Sequence, residues 1–170
     1  DLFYMSHQNQ TRIFKTKDQL ENAGWQLCGN MFQQGEQTYF PLYEGKLIHQ
    51  YDHRFATYEN ASIAQLNVGT LPRLSMAQHQ MATCVACPDY WVMKDDVVAE
   101  LGVASDSGWL IGFRDITNTT NERTIIAAVL PVSAAGNTCP LVLLPGMSIG
   151  CVAGFLSSIN GYVVDYVARQ

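Results

Sequence analysis

Charge is scarce in this chain. Of its 170 residues only 15% are Asp, Glu, Lys or Arg, and 15 acidic against 10 basic residues leave a net charge of −5. A protein that wraps nucleic acid regardless of sequence depends on a basic field, so that class is excluded. A reader of bases that borrows phosphate contacts from a neighbouring domain is not. Cysteine is sparse and odd in number: Cys28, Cys84, Cys87, Cys139 and Cys151 are scattered, whereas a secreted disulfide framework is even and denser. The pattern reads as free thiols in a reducing, cytoplasmic setting. Nucleotide-binding GxGxxG and GxxxxGK[ST] motifs, an HExxH pair and a nucleophile elbow are all missing, so the chain by itself shows no catalytic apparatus. No basic-then-apolar leader precedes Asp1, and YVVDYVARQ breaks off within a helical pattern. Both ends are those expected of a piece of a larger protein.

One long uncharged run is present, PLVLLPGMSIGCVAGFLSSINGYVV from Pro140 to Val164, with Gly150 and Gly154 forming a GxxxG. Pro145, Gly146, Ser157, Ser158, Asn160 and Gly161 dilute it, Asp165 follows at once, and no basic cluster flanks it, so it is not read as a membrane span. The reading is a strand over Leu141 to Leu144, a Pro-Gly turn and a buried helix from Ser148 to Ala168, with the GxxxG marking close helix packing.

Apolar residues at 48% suffice for one core, and we expect a single domain over 1–170. Residues 1–39 form an entry segment containing a helix: Thr16 with Gln19 makes a capping box, KDQLENA follows, and Gly24 stops it. Gly29-Asn30 and Gln33 to Gln37 are turns. TYFPLYEGKLIHQY alternates as a strand pair about Glu44-Gly45. Residues 60–88 have no clear period and are taken as a variable loop. Tyr90 to Met93 is a strand leading into a helix over Asp95 to Leu101. WLIGFRDI and RTIIAAVLP form a hairpin with a polar tip, and Ala134 to Asn137 a turn. The fold class is α+β: a twisted, mostly antiparallel or barrel-like sheet, a few short helices and a longer C-terminal helix.

Two polar clusters stand out. Lys46, His49, Gln50, Tyr51, His53 and Arg54 combine phosphate-pairing cations with groups that can bond base edges. Arg114, Asn118, Thr119, Thr120, Asn121, Arg123 and Thr124 bracket the hairpin tip, and Arg and Asn match guanine and adenine edges. A metal-dependent nuclease built on His49, Asp52 and His53 is a weaker alternative, since the surrounding pattern is extended and no third ligand is evident. Cys84-Val-Ala-Cys87 has zinc-knuckle spacing but no second CxxC, and reads as two ordinary thiols.

The blocks PLYEGKLIHQYDHRFATYENA, DYWV, WLIGFRDITNTTNERTIIAAVLPVSAAGN and INGYVVDYVARQ, in this order, resemble the C-terminal part of bacterial adenine-specific DNA methyltransferases of the fused restriction-modification type. There a catalytic domain with an NPPY motif precedes a TaqI-like target-recognition region. The resemblance implies that this chain positions and reads double-stranded DNA. S-adenosylmethionine and methyl transfer to adenine N6 then belong to an upstream methyltransferase domain of the same chain, which flips the base. It implies no cofactor and no metal in this region. Leu42, Leu47, Ile48 and Phe55 would supply core, and Lys46 and Arg54 would meet phosphates. His49, Gln50 and His53 would contact bases or backbone, with Arg114 as a contact and Arg123 as a brace. The alternative is a non-catalytic scaffold domain of the same kind of enzyme, docked through the apolar C-terminal helix, with base reading elsewhere.

Overall fold

The computed structural model describes residues 13–117 and 121–170. In chain order the strands are β1 (Lys15–Thr16), β2 (Gln26–Cys28), β3 (Met31–Gln34), β4 (Gln37–Tyr43), β5 (Tyr90–Met93), β6 (Trp109–Phe113), β7 (Ala127–Pro131), β8 (Ala134–Ala135) and β9 (Leu141–Val142). The α-helices are α1 (Lys17–Asn22), α2 (Ile63–Asn67), α3 (Met76–Gln80), α4 (Lys94–Leu101), α5 (Ile149–Ile159) and α6 (Tyr162–Ala168). The class is α+β, with a curled, mainly antiparallel sheet of order β1-β5-β4-β3-β2 and a second sheet of order β7-β6-β9.

Local chemistry accounts for the entry segment. The Thr16 side chain accepts from the Gln19 amide while the Gln19 side chain accepts from the Thr16 amide, the reciprocal capping box that opens α1. Gly29-Asn30 joins β2 to β3 and Gly35-Glu36 joins β3 to β4, with Gly29 at φ 64° and Gly35 at φ 59°, where a left-handed turn favours glycine. Leu20, Phe32 and Trp91 pack together beneath this meander. The Trp91 indole N–H donates to the Asn30 carbonyl at 2.8 Å, so its polar end is satisfied in a buried position.

Both faces of the second sheet are covered. Leu110, Ala128 and Leu130 join Leu42, Tyr43, Leu47, Ile48 and Val92 in the main core. Ile111 and Ala127, facing the opposite way, pack on Val152 and Leu156 of α5. Adjacent strand residues point to opposite faces, so two covered faces require apolar residues at consecutive positions, and WLIGF and AAVLP supply them.

Several expectations are corrected. There is no strand pair about Glu44-Gly45: β4 ends at Tyr43, a 3₁₀ turn covers Gly45–Leu47, and the neighbours of β4 are β3, β5 and β8. Ala134 and Ala135 are not a turn but a short strand parallel to Leu42 and Tyr43. The 60–88 segment holds two one-turn helices, α2 and α3, each opened by its own capping box, Ser62 with Gln65 and Ser75 with Gln78. The C-terminal helix is two helices bent by 53°. Among the described residues no single helix is long and apolar enough to cross a membrane, although this bent pair is by length and composition. The GxxxG does not mark close packing here, because a Cβ added at Gly150 or Gly154 would meet nothing within 4 Å.

Candidate nucleic-acid interface

The two sequence blocks singled out for function dock on each other. The Arg114 Nε and NH2 both donate to the Ile48 carbonyl, at 3.0 and 2.6 Å. The Gln50 amide donates to the carbonyls of Ile125 and Asn160, each at 3.2 Å. The Tyr51 N–H donates to the Ala127 carbonyl at 3.0 Å, and the Gly45 N–H donates to the Thr138 hydroxyl at 3.2 Å. A turn closed by reciprocal bonds between His49 and Asp52 places Tyr51 at φ 61° and leaves the residue 58% exposed.

These bonds reassign several side chains. Arg54, expected on phosphates, donates to the carbonyls of Cys84 at 2.8 Å, His79 at 3.0 Å and Met81 at 3.2 Å, pinning the chain after α3 to the body. Arg114, expected as a contact, braces the turn at Ile48. Arg123 is a brace, as expected, but through partners the sequence did not name: it stacks 3.6 Å from the Tyr162 ring centre and lies 3.9 Å from Asp165. Lys46 lies 3.4 Å from Glu44, which also accepts from the Tyr58 hydroxyl at 2.8 Å, yet its side chain stays 38% exposed. Thr124 and the backbone of Asn121 are bound by Asp165 and Arg169. Asn118 and Thr120 lie outside the described residues. Leu42, Leu47 and Ile48 are core, as expected, whereas Phe55 is half-buried.

Phe55 instead organises a cluster of positive groups. The guanidinium carbons of Arg73 and Arg114 lie 4.9 and 5.5 Å from its ring centre, and the His49 ring packs on it at 4.6 Å. Burial, and then the charges of Arg114 and Arg73, hold His49 below its ordinary proton affinity, and burial, then Arg73, does the same to Arg114. Arg73 is exposed and was missed by sequence reasoning. It sits in the 60–88 segment, where only the antiparallel bridge of Ala56 to Arg73 brings it to Phe55.

The histidines diverge. Among the described residues no group of three or more His, Cys, Asp and Glu side chains could hold a metal ion. Asp52 accepts the Arg54 amide at 2.8 Å and pairs with His79 at 3.0 Å. The Ser75 carbonyl and then Asp52 hold the His79 proton affinity above the ordinary value, whereas burial and then neighbouring arginines lower those of His49 and His53. The signs follow by linkage. The His79 contribution is complete below its ordinary pKa of about 6.5 and is lost as pH rises through its elevated value. Those of His49 and His53 are present above about 6.5 and are lost as pH falls. In an NMR titration His79 is therefore expected on the alkaline side and the other two on the acid side, with D52N returning His79 towards the ordinary value. Coincident titration of all three would contradict these placements.

No protein-family model, no curated protein and no solved structure matches the chain.

Proposed function

We propose that this domain is the DNA target-recognition module of a site-specific N6-adenine methyltransferase of the restriction-modification kind. It would position the duplex for base flipping by an upstream domain that holds S-adenosylmethionine. The observation that carries the reading is the Arg73–Phe55–Arg114 stack with His49 beside it. Like charges crowded on one aromatic side chain repel, and in a chain of net charge −5 their convergence favours an anionic partner such as a phosphate. The described arms of the hairpin are braced to the same turn, Arg114 through the Ile48 carbonyl and Ile125 through Gln50, which suits a base-reading element near a backbone contact. The chemistry of methyl transfer lies outside this chain in this reading.

The test is selection from a randomised duplex pool at low salt. Enrichment of one adenine-containing motif is expected, lost when residues 118–121 are replaced by a Gly-Ser loop. Arg73→Ala should weaken binding to all sequences and flatten the salt slope by about 1. An unchanged slope would remove Arg73 from the interface. No enrichment would favour the second reading, an interaction domain. The specific support for that reading is the outer face of α6, where Tyr162, Val163, Tyr166 and Val167 are exposed.

A further inference from the structure

Between Leu74 and Ala86, both buried, the chain runs through residues 75–85 without burying one of them. Its large apolar side chains point to solvent, with Met76 77% and Met81 56% exposed. Burial therefore contributes little to holding this segment, and polar contacts must do so. Among the described residues the 52–54 turn supplies two such fasteners. Arg54 donates to the carbonyls of His79, Met81 and Cys84. A guanidinium keeps its proton at every pH a folded protein meets, so this hold does not titrate. Asp52 supplies the other fastener, through His79.

The His79 ring is engaged at both nitrogens. Its Nε2 lies 3.0 Å from the Asp52 Oδ2, and its Nδ1 lies 3.0 Å from the Ser75 carbonyl oxygen at the start of α3. The other Asp52 oxygen accepts the Arg54 N–H at 2.8 Å, which fixes the carboxylate on the turn. A carbonyl and a carboxylate accept hydrogen bonds and cannot donate them. A neutral imidazole carries a single N–H, so in either tautomer one nitrogen would set a lone pair against an oxygen. Only the imidazolium satisfies both contacts.

We propose that residues 75–85 form a pH-sensitive strap against the 52–54 turn, with His79 as its buckle. The doubly protonated ring ties the start of α3 to Asp52. Loss of one proton loosens the strap, while Arg54 keeps it tethered. This goes beyond the DNA-recognition reading and stands without it.

The charged and titratable groups facing His79 from the turn are Asp52, Arg54 and His53. The Ser75 carbonyl and then Asp52 raise the His79 proton affinity, against burial and the Arg54 charge. A raised value in the folded state means that the strap is fastened below about pH 6.5 and loosens as pH rises through that value. His53, held low by burial and then by Arg54, has already lost its proton over that interval.

The test is limited proteolysis within residues 76–84, with each rate divided by that of an unstructured peptide of the same sequence to remove the protease's own pH dependence. In the parent the normalised rate should rise about threefold to tenfold between about pH 6 and about pH 9, a modest factor because the pair is partly exposed. His79→Gln should cleave at the parent's high-pH rate throughout, with no pH dependence. D52N should move the midpoint of the rise to lower pH. A parent rate that does not change with pH overturns the strap. A rise that persists unchanged in His79→Gln assigns the titration to another group and overturns the buckle, and an unmoved midpoint in D52N overturns the part given to Asp52.

Discussion

Arg54→Ala should lower stability by roughly 3 kcal/mol, because it removes three hydrogen bonds from one charged donor to the carbonyls of His79, Met81 and Cys84. For a chain of this size that is a fall in Tm of about 6–12 °C. The loss should be concentrated in the chain following α3, where limited proteolysis would cut first. Arg54→Lys should recover little, since one ammonium cannot span three carbonyls that a planar guanidinium reaches together. Thermal unfolding decides between two jobs for this residue. A variant that melts like the parent but binds DNA weakly would return Arg54 to the phosphate backbone, where its sequence context alone had placed it.

Gly45→Ala carries the second large effect, about 3 kcal/mol or more. Its Cβ would fall on the Thr138 carbonyl oxygen, well inside contact distance, with the Arg114 Cγ at 3.4 Å. No rotamer can relieve a clash between a Cβ and backbone. The chain at 136–138 would have to move, losing the Gly45 N–H to Thr138 hydroxyl bond and the Asp115 N–H to Thr138 carbonyl bond. Gly29→Ala is the control: its φ is 64° but nothing lies within 4 Å of an added Cβ, so only the backbone cost of about 1 kcal/mol applies. Urea midpoints should rank the parent first, Gly29→Ala next and Gly45→Ala last. A Gly45→Ala midpoint equal to or above that of Gly29→Ala would mean that the 136–138 chain does not cover Gly45. Either large variant lowers the folded fraction, so any test of the proposed DNA binding must compare proteins at matched folded fractions.

Much of the fold was legible because it is set within a few residues. The Thr16–Gln19 capping box, the Gly29-Asn30 turn, the strand at Tyr90–Met93 and the β6–β7 pairing are all local patterns that the structure repeats. The boxes at Ser62–Gln65 and Ser75–Gln78 obey the same rule and were readable too. They were passed over because the segment lacks apolar period, and the reason for that is physical: α2 and α3 bury none of their residues. The strand pair expected at Glu44-Gly45 failed for a different reason. Leu42, Leu47 and Ile48 are all buried, as expected of core residues, but the chain between Leu42 and Leu47 turns where Gly45 packs against Thr138. Nothing near Gly45 in sequence encodes that contact.

The candidate site divides in the same way. Which residues were polar and where they clustered was plain in YEGKLIHQYDHRF and FRDITNTTNERT, and that placement along the chain is what the sequence by itself determined. Only the tertiary structure decided which cations are spent and which remain available. A guanidinium satisfies a backbone carbonyl as well as a phosphate, and the carbonyls that claim Arg54 lie 25 to 30 residues away in sequence, the one that claims Arg114 66 away. Arg73 remained at the surface because folding brought it to an aromatic ring rather than to an acceptor.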